Sequence, residues 1–253
     1  MPIRETTQAS TGTTDLLRVE DLKVLYGDFV AVEHASFSVR TGECVAIIGP
    51  NGNGKSSLAL ALAGFVSHLG KVQFGGVLVP PRRPAWMVGH GLSLVPERRQ
   101  LFPSMAVIDN ILLGCYGWTK NLRKARASEA FAEALELFPE LKPRLSQSAG
   151  TLSGGQQQMV ALARGLAAAP KILVTDEPCL GLAEIVARRV YEAIKQLNDQ
   201  GRTILLVEEN PLRALEICHR ALRVERGVVE EAPDADVLEQ AANVTARPER
   251  STS

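Results

Sequence analysis

The chain alternates short, continuously apolar runs with stretches in which apolar residues recur every three or four positions. Leu16 to Leu25, Glu43 to Ile48, Lys71 to Val79, Lys171 to Thr175, Thr203 to Glu208 and Ala221 to Val224 carry the β-rich pattern that predicts strands. Ile172 to Thr175 and Ile204 to Val207 show no polar alternation, which is the mark of strands buried on both faces of a helix-covered parallel sheet. Helical periodicity covers Lys55 to Ala63, Val107 to Leu113, Arg123 to Phe138, Gly155 to Ala168, Ala183 to Asn198 and Pro211 to Ile217. From Val107 to Ala168 nearly everything is helical, so the strand-helix alternation on either side is interrupted. That pattern predicts an α/β sheet domain with a helical subdomain, about 97–168, inserted into it.

Residues 1–15 and 241–253 are polar and aperiodic and are expected to be disordered tails around one folded unit over 16–240. No repeat with a period of 20 to 50 residues is visible, which excludes solenoids and propellers. The longest nearly unbroken apolar stretch, Leu58 to Val66, falls far short of the roughly 18–20 residues a membrane span needs. The N-terminus lacks the apolar core of a secretory signal, so a cytoplasmic protein is expected.

Composition narrows the partners. The chain of 253 residues has 28 basic and 28 acidic side chains, so no net field draws it to nucleic acid. A hydrophobic share of 45% with 22% charged residues is that of an ordinary globular protein and excludes a disordered or collagenous chain. Cys44, Cys115, Cys179 and Cys218 are far apart with no C-x-x-C pair, which suggests neither a zinc site nor a disulfide framework and predicts four reduced, buried thiols.

The chemistry begins at Gly49-Pro50-Asn51-Gly52-Asn53-Gly54-Lys55-Ser56, which fits G-x-x-x-x-G-K-[ST] between a predicted strand and a predicted helix. Glycines let such a loop curl so that successive backbone N–H groups face phosphate oxygens, and the helix N-terminus adds partial positive charge. Lys55 is then the cation for the β- and γ-phosphates, Ser56 offers its hydroxyl to Mg²⁺, and Ser57 follows in the same nucleotide-binding set. The apolar strand Ile172-Leu173-Val174-Thr175 ends in Asp176, the expected Mg²⁺-side carboxylate. Glu177 comes next, where a carboxylate can orient and deprotonate the water that attacks the γ-phosphorus. Leu152-Ser153-Gly154-Gly155-Gln156, some 20 residues earlier, predicts a helix N-terminus with open N–H groups, a second anion cradle.

In that order and spacing these three motifs resemble those of ATP-binding-cassette (ABC) ATPases, from about Leu16 to Glu231. The resemblance implies a P-loop NTPase core with a parallel sheet, an N-terminal antiparallel β subdomain and an inserted helical subdomain. It also implies that ATP and Mg²⁺ are bound and that Ser153, Gly154, Gly155 and Gln156 contact ATP held on the P-loop of a facing subunit. Tyr26 matches the aromatic residue that stacks on adenine, and Glu97 stands where most cassettes carry a glutamine sensing Mg²⁺ and γ-phosphate.

Val95-Pro96-Glu97, Arg99, Phe102-Pro103, Asn110, Gln156-Gln157-Gln158-Met159 and Glu177 to Ala183 resemble the ATP-binding subunits of high-affinity branched-chain amino-acid importers. By that resemblance the partners are a second ATPase subunit, multi-span permease subunits and, indirectly, a solute-binding protein, at the cytoplasmic face of the inner membrane. Arg98, Cys179 and Glu184 depart from the subfamily pattern, where glycine, serine and proline are usual. So does Glu209, where cassettes carry histidine or glutamine. A carboxylate there is expected to lie near the γ-phosphate and Glu177, where it must take up a proton, turn to a cation or weaken the ATP state. Two rival readings are a soluble cassette ATPase acting on ribosomes or DNA and a non-hydrolysing regulatory ATP binder. The chain has neither the double cassette nor the coiled coil of the first, and Glu209 alone motivates the second.

Overall fold

The computed structural model describes residues 15–233. The tails expected over 1–15 and 241–253 lie outside the described residues, except Asp15, which opens the first strand; residues 234–240 also lie outside them. Ten strands form one sheet in the order β5-β4-β1-β2-β10-β9-β3-β8-β7-β6. Strands β1 (Asp15–Tyr26), β2 (Phe29–Arg40), β4 (His68–Phe74) and β5 (Val77–Leu78) pair antiparallel. Strands β3 (Cys44–Ile48), β6 (Leu92–Val95), β7 (Ile172–Asp176), β8 (Thr203–Glu208) and β9 (Arg220–Glu225) run parallel to one another. β10 (Val228–Ala232) joins the halves, parallel to β2 and antiparallel to β9.

The central strands β3, β7 and β8 are buried along their whole length, as their unbroken apolar runs require. Their register brings three carboxyl ends to one edge. Ile48 pairs with Glu208 and Asp176 with Val207, so the loops that leave β3, β7 and β8 emerge side by side. In open α/β sheets this edge is where ligands bind.

Helix α1 (Lys55–Leu62) packs beneath the sheet against β1, β2, β7 and β8, with Leu58 and Leu62 wholly buried. After α2 (Pro84–His90), the chain between β6 and β7 carries α3 (Val107–Leu112), α4 (Leu122–Arg126), α5 (Glu129–Leu137) and α6 (Gly154–Ala167), with three 3₁₀ turns among them. Phe131, Leu137 and Phe138 meet the apolar face of α6, Met159, Val160, Leu162 and Leu166, in a core continuous with one face of the sheet. Each such fully buried side chain contributes about 1.5–3 kcal/mol. Helices α7 (Glu184–Asp199) and α8 (Pro211–Ile217) complete the fold; α8 sits on β3 through small residues, Ala214 over Ala46 and Ala221.

Four elements differ from the sequence expectation in kind. The sequence pattern does not mark β2, β6, α2 and β10: β2 carries Glu33, His34 and Ser36 on exposed positions, and β6 and β10 hold only 4 and 5 residues. The strand expected over Lys71 to Val79 is a hairpin, because Gly75 and Gly76 both take left-handed φ (56° and 78°) and turn the chain. The helix expected over Arg123 to Phe138 breaks at Ser128. Its hydroxyl donates to Ala125 O and accepts from Phe131 N, closing one helix and capping the next.

Candidate functional site

The loop after β3 is shaped by glycines at close approaches. A Cβ on Gly49 (φ 153°) would lie 2.3 Å from Val224 O, and one on Gly54 (φ 102°) 2.2 Å from Ala31 O, so the loop seats on β9 and β2 only because both are glycine. Gly52, also left-handed, meets nothing and supplies the bend alone. Asn53 braces the loop from outside: its Oδ1 accepts from Arg226 N at 2.7 Å and its Nδ2 donates to Pro50 O. Pro50 and Asn51 complete the curl, and Lys55 starts α1 beneath it.

Lys55 is 3% exposed and donates to Gly49 O at 2.8 Å, Pro50 O at 3.3 Å and Asn51 Oδ1 at 3.2 Å. Its ammonium also lies 3.3 Å from Glu177 Oε1. Ser56 Oγ donates to Asp176 Oδ1 at 3.1 Å, which joins the P-loop helix to the end of β7. Burial pushes the Asp176 carboxyl up to about 6, with Glu177 and Glu97 reinforcing the rise and the Ser56 hydrogen bond and Lys55 opposing it. The edge is thus crowded with carboxylates and short of positive charge. Glu177 has a left-handed backbone, φ 46°, uncommon outside glycine, and its N–H is pinned to Val207 O at 3.0 Å. Local strain of this kind is stored where a side chain must point in one direction.

Phe29, Ala31, Asn51, Gly52, Gly54, Lys55, Ser56, Ser57, Glu97, Glu177 and Leu180 line one open cavity over this loop. Glu97, exposed on the turn after β6, therefore faces the same space as Lys55 and Ser56. Tyr26 ends β1 and is 44% exposed; its register partner Phe29, 64% exposed, is the aromatic that lines the cavity. The sequence carries no signal for Phe29, because the strand it opens is not marked by the apolar pattern.

Glu209 turns to the P-loop itself rather than to a cation. Its Oε2 accepts from Asn51 Nδ2 at 2.9 Å, and the other end of the same amide receives Lys55. The residue before it, Glu208, also escaped the sequence reading. It is buried, accepts from Tyr191 OH and from Asn210 N, and burial raises its carboxyl pKa, with Glu177 adding to the rise. These two bonds hold the β8–α8 turn that presents Glu209, and Asn210 then caps α8 through Leu212 N and Arg213 N.

The second cradle stands apart. Ser153 caps α6 by accepting from Gln156 N, while Gln156 Oε1 accepts from Ser153 N in a reciprocal capping box. Ser153 and Gly154 are exposed, and neither lines the P-loop cavity. Gly155 is buried instead, because a Cβ there would come within 2.2 Å of Val186 Cγ1 on α7. Arg99, φ 53°, reaches from the β6 turn to Gln158 Oε1 and flanks Gly154, and Arg164 of α6 donates back to Arg99 O at 2.6 Å and Gln100 O at 2.8 Å. Beside this link lies a groove of about 510 Å³ lined by Phe65, Val88, Leu113, Tyr116 and Arg164.

A phosphate cradle at the carboxyl edge of a parallel sheet, with a Ser–Asp pair one strand away and a base candidate behind it, is the chemistry of a P-loop nucleoside triphosphatase. The exposed, capped helix N-terminus on the inserted helical layer narrows that class to the ATP-binding cassettes. The ABC transporter family profile matches residues 32–180, and the chain belongs to that family as an ATP-binding subunit, an ATPase coupled to transport. It is similar to the high-affinity branched-chain amino acid transport ATP-binding protein BraG of Pseudomonas aeruginosa, 37% identical over 84% of this chain and 90% of that one. It is also similar to the Nod factor export ATP-binding protein I of Rhizobium etli, 34% identical over 82% of this chain and 64% of that one. Among solved structures, the ADP conformation of an ATP-binding cassette of an ABC transporter superposes with a TM-score of 0.78, at 28% identity, covering 92% of this chain and 97% of that one.

Proposed function

We propose that this subunit powers the import of branched-chain amino acids or a related small solute. The observation that carries the reading is the meeting of Lys55, Ser56, Asp176 and Glu177 at one sheet edge, joined to likeness with BraG over nearly the full length of both chains. ATP sits with its phosphates on the loop N–H groups and Lys55, and Tyr26 or Phe29 meets the adenine. Ser56 and Asp176 would hold Mg²⁺, with Glu97 nearby; all three offer hard oxygen donors, the kind such an ion takes alongside phosphate and water. Mg²⁺, when bound, neutralises charge developing on the phosphate oxygens. Glu177 accepts the proton of the attacking water, its direction fixed by the strained backbone and by Lys55.

The second subunit is needed because the α6 N-terminus at Ser153 and Gly154 is exposed and lines no part of the chain's own P-loop cavity. The groove beside Arg164, with its apolar wall of Phe65, Val88, Leu113 and Tyr116, accepts the cytoplasmic segment of a permease subunit. Purification from membranes with its neighbouring permease and solute-binding proteins, followed by reconstitution in vesicles, tests this. ATP-dependent uptake of labelled leucine supports it; export, or uptake of phosphate only, overturns the solute assignment.

Gly154→Asp is expected to abolish ATP-driven dimers on a sizing column while nucleotide affinity of the single subunit stays within about twofold. The new carboxylate would oppose the γ-phosphate arriving from the partner. Its neighbour in the single subunit is Arg99, 3.4 Å from the added Cβ, so the fold tolerates it. A loss of single-subunit affinity would mean that the signature segment serves its own P-loop.

Glu209→Gln is expected to raise hydrolysis by roughly threefold near neutral pH, because the amide keeps an acceptor for Asn51 Nδ2 and removes one negative charge from beside the phosphates. Glu209→Ala loses the Asn51 bond as well and should not share the gain. Steady-state rates that coincide for parent and Gln variant would assign Glu209 to the solvated surface.

A further inference from the structure

Cys44, the fully buried first residue of β3, and Cys218, half-buried just beyond α8, have their sulfurs 2.9 Å apart. That is within about 1 Å of a bonded pair. The surrounding backbone holds them there. Cys44 N donates to His219 Nδ1 at 3.0 Å, His219 N donates to Cys44 O at 2.9 Å, and Cys218 N donates to Ala214 O at 2.8 Å. The next residues along, Val45 and Arg220, are register partners in the β3–β9 ladder. The expectation of four buried thiols thus needs correcting: Cys218 is half-exposed, and two cysteines 174 residues apart in sequence are in contact.

Nothing in nucleotide binding or hydrolysis uses either sulfur. The Cys44 sulfur, and then burial, push the Cys218 thiol well above its ordinary range, so Cys218 is held as a thiol at neutral pH. A thiol so held reacts slowly with any oxidant, so the reaction calls for prolonged exposure to a reagent small enough to reach the sulfur from the partly exposed side of Cys218.

We propose that Cys44 and Cys218 are a reversible disulfide site, oxidised by hydrogen peroxide, that tethers α8 to β3. The Cys218 sulfur attacks one peroxide oxygen, the O–O bond breaks, and Cys218 sulfenic acid and one water result. The Cys44 sulfur then attacks the sulfenic sulfur; its S–O bond breaks and a second water leaves with the Cys44 proton. The two sulfurs together give up two electrons and peroxide is reduced to two waters; a dithiol reverses the bond. The tether matters because α8 starts immediately after Glu208-Glu209-Asn210, the segment that faces the P-loop.

The full-length protein is treated with hydrogen peroxide, its remaining thiols are blocked, and it is digested without reductant. A peptide pair linked through Cys44 and Cys218, absent after dithiothreitol, is the expected product, with Cys115 and Cys179 blocked to the same extent as in untreated protein. The linked pair disappears in Cys218→Ser. Recovery of Cys44 and Cys218 as free thiols or separate acids, or linkage to Cys115 or Cys179 in equal yield, overturns the proposal. A second measurement needs no variant: amide hydrogens of residues 212–218 should exchange at least about threefold slower in the oxidised protein than in the reduced one. Equal exchange rates would mean that the bond does not restrain α8.

Discussion

Lys55→Ala is expected to weaken ATP binding by at least about a hundredfold in calorimetric titration while circular dichroism stays that of the parent. Hydrogen bonds to charged groups contribute about 1.5–3 kcal/mol each, and losing two, to the β- and γ-phosphates, exceeds two powers of ten in affinity. The edge makes the loss more severe. Asp176, Glu177, Glu97 and Glu209 all surround the loop, and Lys55 is the cation among the side chains lining the cavity. Without it the triphosphate approaches a field of one sign. The loop itself survives, because its turns rest on Gly49, Gly54 and the Asn53 brace as much as on the lysine. Unchanged affinity would overturn the P-loop assignment.

Glu177→Gln separates binding from chemistry. The amide is nearly isosteric and still accepts a hydrogen bond from Lys55, so ATP affinity should hold within about threefold. It cannot take a proton from water, and general-base catalysis is worth roughly 10²–10⁴ in rate. Turnover should fall by at least that lower bound, and ATP-bound dimers should accumulate on a sizing column. Parental rates in this variant would require another base, and buried Glu208, behind Glu177, would be the next residue to substitute.

The parts of the site legible in the sequence are those written contiguously. The P-loop, Asp176-Glu177 and Ser153-Gly154 each couple a local backbone shape to a local residue pattern, so periodicity and glycine spacing suffice to find them. The contacts that qualify their roles are tertiary. Asn51 meets Glu209 across 158 residues, Tyr191 on α7 meets Glu208 on β8, and Cys44 on β3 meets Cys218 at the end of α8 across 174 residues. Neither periodicity nor motif spacing pairs them. The fold divides in the same way. The central strands announce themselves by unbroken apolar runs, whereas β2 carries polar residues on its open face and reads as loop until β1 and β10 flank it. The break at Ser128 was local, yet only the cap geometry distinguishes it from a serine on the surface of a continuous helix.

The reciprocal grip of Arg164 on Arg99 O and Gln100 O, answered by Arg99 on Gln158, has a mechanical meaning. Separating α6 from the turn that carries Glu97 means breaking three charge-assisted bonds, each worth about 1.5–3 kcal/mol, which together exceed what thermal agitation supplies. Helix α6 and the Glu97 turn are therefore fastened into one unit. Because Arg164 also forms a wall of the groove, anything seated there presses on the same residue that fastens the Glu97 turn.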